Sequence, residues 1–106
     1  MNENLSGASE AQVSESIKNL LDSLGIYWFR VNSGKGARIH NRWVELAPAG
    51  TPDIVSCILG KFIGIECKRP RGGRQSEAQK LAQAKIEAAG GVYLLCNTAE
   101  PLSTLS

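Results

Sequence analysis

The chain has a single histidine and only three cysteines. His40 has no partner at metal-ligand spacing, and it reads as a structural or exposed residue. Cys57, Cys67 and Cys96 are odd in number, widely spaced and without a C-x-x-C pair, so no zinc-type constellation is present. They sit in apolar runs and read as free, buried thiols in a reducing cytoplasm. No apolar run is long enough to span a bilayer, and the opening MNENLSGASE lacks the pattern of a secretory signal. There is no internal repeat and no low-complexity segment. The glycine loop Asn32-Ser33-Gly34-Lys35-Gly36 does not follow the spacing of a nucleotide-binding P-loop.

What is present suits one globular domain. The 106 residues are 42% hydrophobic and 21% charged, enough for a modest core that oligomerisation would help to stabilise. A net charge of +2 says little, but its distribution says more. Lys61, Lys68, Arg69, Arg71, Arg74 and Lys80 crowd one stretch, while the termini are neutral or acidic. A local basic patch suits a polyanionic partner.

Taken in order, residues 1–8 read as a flexible N-terminus. Ser9 and Gln12 form a capping box, and Val13, Ile17, Leu20, Leu21 and Leu24 follow at helical spacing until Gly25. Glu15 points almost opposite the apolar stripe, and Glu10 lies on its edge. Glu10 is either an ordinary first-turn residue favoured by the helix dipole or a group aimed at a site. Ile26–Asn32 reads as a strand, and Arg38–Leu46 as a second with Trp43 and Val44 as core candidates. After the basic loop 69–74, Ser76 and Gln79 form another capping box. Ala78, Leu81, Ala82, Ile86 and Ala89 give that helix a narrow apolar face. Val92–Cys96 reads as a fully buried strand, and 98–106 as a tail. The sum is an α/β domain with a mixed central sheet flanked by helices, three or four strands between the helices and one after, simplest order α-β-β-β-α-β.

The stretch Thr51–Lys68, TPDIVSCILGKFIGIECK, carries the chemistry. Two Ile/Val/Phe-rich runs flank a Gly60-Lys61 turn and read as a β-hairpin. Side chains alternate, so Phe62, Gly64, Glu66 and Lys68 share a face. A two-residue Gly60-Lys61 loop pairs Leu59 with Phe62, Val55 with Glu66 and Asp53 with Lys68. Asp53 then lies diagonal to Glu66, roughly 7–8 Å away between alpha carbons. Two carboxylates and an ammonium converging at one end of a hairpin can hold a hard divalent cation beside a positive charge.

The ordered set Gly50-x-Pro52-Asp53, Glu66-x-Lys68 and Arg74-x-Ser76-x-x-Gln79 resembles the PD-(D/E)xK nuclease superfamily, and within it the VRR-NUC (virus-type replication-repair nuclease) branch. Ser9-Glu10 and Arg30-Val31-Asn32-Ser33-Gly34 also fit, and the likeness covers residues 9–97. It implies a restriction-endonuclease-like fold and a magnesium- or manganese-dependent DNA endonuclease. Asp53, Glu66 and the backbone carbonyl of Cys67 would ligate the metal, with Glu10 positioning the metal or its water. Lys68 would orient the attacking water, and Gln79 would brace the site while still able to cap its helix. The resemblance further implies a Holliday-junction resolvase acting as a homodimer, from a bacterial or phage-infected cell. Phosphates would be held by Arg30, Asn32, Ser33, Lys35, Arg38, Arg69, Arg71 and Arg74. A flap- or nick-directed nuclease and a non-catalytic DNA-binding protein are the alternatives.

Overall fold

A computed structural model describes residues 8–34 and 36–97. The expected flexible segment 1–8, apart from Ala8, the tail 98–106 and Lys35 lie outside the described residues. The chain is a mixed α/β protein. Its elements run α1 (Glu10–Ser23), β1 (Trp28–Arg30), β2 (Ala37–Ile39), β3 (Arg42–Val44), β4 (Ile54–Ile58), β5 (Lys61–Cys67), α2 (Glu77–Ala88) and β6 (Val92–Cys96). The main sheet has the order β1-β4-β5-β6, antiparallel except for the β5–β6 pair, so it is mixed as expected. β2 and β3 form a separate two-stranded ribbon. Among the described residues no helix is long and apolar enough to cross a membrane.

α1 starts where the capping box places it. The Ser9 side chain accepts from the Gln12 amide at 3.1 Å, and the Gln12 side chain accepts from the Ser9 amide at 2.8 Å. Val13, Ile17 and Leu21 are buried against Ile54, Ile63, Ile65, Cys67 and Cys96 of the sheet. Each of the three contributes about 1.5–3 kcal/mol by leaving water. They are three of the five residues of the predicted stripe. Leu24, its last residue, is exposed because it is the C-cap, just past the end of the helix at Ser23.

α2 has its capping box too, between Ser76 and Gln79. None of its residues is fully buried, and Leu81, expected on its apolar face, is exposed. The helix lies beside Phe62 and Pro52, on the face of β5 away from α1, and covers that face only partly. β6 is not the fully buried strand expected. It is the edge of the sheet, and Leu95 faces outward half-exposed.

Three further expectations are corrected. The predicted strand Arg38–Leu46 is a hairpin, turning at His40-Asn41 with φ of 50° and 62°. It has no partner in the main sheet, so Trp43 and Val44 are exposed and not core. Five strands therefore precede α2. Cys67 and Cys96 are buried thiols, but Cys57 is exposed, because it points to the half-covered face opposite Phe62.

The third correction concerns the β4–β5 hairpin. Its turn is Leu59-Gly60, one position before the expected Gly60-Lys61. Both turn residues have positive φ, 53° and 79°, and Ile58 pairs with Lys61. Two left-handed residues in succession match the strand twist of a tight hairpin. Moving the turn by one residue slides each strand two residues past its partner. Two is the side-chain period, so every residue keeps its expected face. Val55 now pairs with Gly64, and one further step sets Asp53 opposite Glu66 instead of Lys68.

Candidate active site

Asp53 follows a proline packed into the body of the protein. The Pro52 ring is fully buried and lies over β5 at Gly64, where an added Cβ would come within 2.6 Å of its Cγ. Glycine at 64 therefore lets the chain descend onto the sheet just before Asp53. A Cβ added at Gly50 would likewise clash with the carbonyl of Ala78, in the first turn of α2. The Asp53 carbonyl accepts from the Val31 amide at 2.8 Å, tying it to the end of β1. Its carboxylate accepts from the Cys67 amide at 3.0 Å. That amide lies beyond the last β4–β5 pair, so the side chain completes the ladder and is itself fixed in place.

Glu66 is the unusual group. It is 2% exposed, and its Oε1 has no hydrogen-bond partner. Burial pushes its carboxyl from 4.5 up to about 8. The Asp53 charge and a carboxyl–carboxyl contact with Asp53 push the same way, as does Glu10, while Lys68 opposes them. Lys68 Nζ lies 3.8 Å from Glu66 Oε2, and both side chains are largely buried. A buried carboxyl with an idle oxygen beside a second carboxylate is costly in an apoprotein unless it has a ligand to meet.

Two clefts open beside these residues, one at Asp53 and one at Lys68, and Glu66 itself lines neither. One, of about 360 Å³, is lined by Asp53, Cys67, Arg30 and, from α1, Glu10, Ser14, Glu15 and Lys18. The other, of about 730 Å³, is lined by Lys68, Arg69, Arg71 and Arg74 together with Ser9 and Glu10 at the start of α1. Glu10 borders both clefts; Glu15 borders only the first, and only Glu10 acts on the Glu66 carboxyl. Acids and bases thus line the two clefts together.

Not every expected site residue joins this group. The Gln79 side-chain oxygen is committed to the Ser76 amide, which is its capping role. Asn32 and Ser33 lie on the exposed loop that pairs with Ala47, and Arg38 stands apart on the β2–β3 ribbon. Residues that sequence reasoning passed over are also present. Tyr93 is buried on the Glu66 face of β6, its hydroxyl without a hydrogen-bond partner, and burial raises its pKa. Its strand gave a signal only as an apolar run. Placing it beside Glu66 required the parallel β5–β6 register, in which Gly64 pairs with Tyr93.

Oxygen donors and an idle buried carboxylate oxygen fit a hard divalent cation. Among the described residues no three His, Cys, Asp or Glu side chains form a ligating group. The side-chain ligands would therefore be Asp53 and Glu66, with Glu10 at the rim; magnesium typically keeps several waters around so few carboxylates. Burial holds the Cys67 thiol up to about 12, so Cys67 could contribute only its backbone carbonyl. No family model, curated protein or solved structure matches this chain.

Proposed function

We propose that this chain is a magnesium- or manganese-dependent DNA endonuclease with a restriction-endonuclease-like fold, selective for branched DNA and acting as a homodimer on four-way junctions. The observation that carries the reading is the buried Glu66 beside the half-buried Asp53, with Lys68 3.8 Å from Glu66 and one Glu66 oxygen unpartnered. The motif resemblance points to the same three residues independently of this geometry.

Asp53 and Glu66 would hold the cation, which when bound supplies charge for the phosphate and lowers the pKa of water. Lys68, on the next face-sharing position after Glu66, presents its ammonium to the phosphate and orients a water for in-line attack. Arg69, Arg71 and Arg74 hold the neighbouring phosphates in the larger cleft, and Arg30 does so beside Asp53. Such contacts read backbone shape, which suits a junction more than a sequence. A two-fold dimer would present two such sites to the symmetric strands of a junction.

The test is cleavage of labelled four-way junctions, flaps, nicked and linear duplexes in magnesium, manganese or EDTA. Paired symmetric nicks on the junction are expected, lost in EDTA. Cutting confined to flaps or nicks would replace the junction reading with a flap- or nick-directed nuclease. Binding without metal-dependent cutting of any substrate would leave a non-catalytic DNA-binding protein. Asp53→Ala and Lys68→Ala should each abolish cleavage while DNA affinity in EDTA changes little.

A further inference from the structure

The β2–β3 ribbon takes no part in the site above, and its residues are unusual for a solvent-facing hairpin. Each strand is three residues long, and the ribbon pairs with no other strand. An isolated ribbon of this size is marginal by its own contacts. Yet it holds a tryptophan, Trp43, 63% exposed. The indole is seated, not loose: a Cβ added at Gly36 would lie 2.4 Å from Trp43 Cζ2 and 2.8 Å from Cε2. The ring thus rests against a backbone that only glycine leaves open, and the rest of its surface faces water. Arg38 is the direct cross-strand partner of Trp43, and Arg42 pairs with Ile39.

Charge decides what such a ring is for. Residues 36–45, GARIHNRWVE, carry two arginines and one acid, Glu45. Arg38 shares the face of Trp43, and Arg42 lies on the other. A polyanion would be attracted. Within a duplex, bases offer only their edges, and their faces are stacked on one another. An indole face reaches a base face only where a nucleotide is unpaired. A ring already seated loses little freedom on stacking.

We propose that the β2–β3 ribbon is a stacking arm, on which Trp43 takes an unpaired nucleobase while Arg38 holds an adjacent phosphate. The proposal rests on the endonuclease reading for its DNA substrate, and it adds that this substrate carries an unpaired nucleotide.

The test uses full-length protein carrying Asp53→Ala, in EDTA, so that DNA stays whole. Affinity is measured for a duplex and for the same duplex with a single-stranded branch carrying 2-aminopurine. Adding Trp43→Ala should weaken the branched substrate by about 5- to 160-fold, the range of one base–aromatic stack, and leave the duplex within about twofold. Trp43→Phe should retain most of the preference. The 2-aminopurine signal should be quenched on binding by the Trp43 protein and not by Trp43→Ala. Should Trp43→Ala unfold, Gly36→Ala, which keeps the indole but drives it off its seat, should lower the same preference. Equal affinities with and without the indole, or equal losses on both DNAs, would overturn the stacking arm. So would loss of a concentration-dependent dimer on Trp43→Ala with DNA affinity unchanged, which would make the ribbon an intersubunit contact. Cleavage by the wild-type protein is scored separately. No cutting with a Trp43-dependent preference intact overturns the nuclease reading alone, and cutting with no such preference overturns the arm alone.

Discussion

Replacing Glu66 by glutamine should stabilise the metal-free protein, and the gain should grow with pH. Glu66 titrates near 4.5 when free and near 8 in the fold. Between those values the folded chain holds a proton that the unfolded chain has released, so stability falls as pH rises from about 5 to about 8. At ~1.4 kcal/mol per pH unit, the penalty is at most about 1 kcal/mol at pH 5 and at most about 3 kcal/mol at pH 7. Glutamine keeps the shape and has no charge to bury, so Glu66→Gln removes the penalty. Urea unfolding of both proteins in EDTA at pH 5, 6, 7 and 8 measures it. His40, the single histidine, is common to both and cancels in the difference. The expected result is a variant more stable by 1–3 kcal/mol, on the order of 4–20 °C in melting temperature, at pH 7 and nearly equal at pH 5. Magnesium or manganese should stabilise the wild type and not the variant, because binding converts the buried carboxyl to its ionised form and releases its proton. A flat difference from pH 5 to 8, or a variant less stable at pH 7, would show that Glu66 carries its charge without cost and would remove the argument for a cation.

Other perturbations test the scaffold and the rim. Gly64→Ala should destabilise by about 1–3 kcal/mol in denaturant titrations, because the new methyl meets the rigid Pro52 ring at 2.6 Å, and cleavage should fall with it as Asp53 is displaced. Leu59→Asn should stabilise by about 0.5–1 kcal/mol with unchanged cleavage, since Leu59 is 96% exposed with a φ of 53°, a conformation asparagine adopts more readily. Replacing Arg69, Arg71 and Arg74 together by alanine should reduce the slope of log affinity against log salt by about 2–3, read from binding titrations in EDTA.

The helices were legible because their signals are local. Both capping boxes form between residues three apart, and the 3.6-residue period places Val13, Ile17 and Leu21 inward whatever the rest of the chain does. The pairing of faces in the hairpin was legible for a similar reason. Asp53 and Glu66 share a face by parity, and parity survived a turn one residue away from its expected place. Trp43 and Val44 were misread because an apolar strand looks alike whether or not another element covers it. Tyr93 was passed over because its neighbour Glu66 lies far away in the chain, across a parallel pair with no local turn to reveal the register.

The amino-acid order by itself determined where helices begin, which side of each strand a residue takes, and that two acids and a lysine fall on one side. These follow from bond geometry and from interactions within a few residues. Only the tertiary structure decided how deep Glu66 lies, how near Lys68 comes, that Glu10 looks into the same opening, and that the Trp43 ribbon stands clear of the core. Depth and proximity depend on which distant surfaces exclude water, and that is a property of the assembled fold.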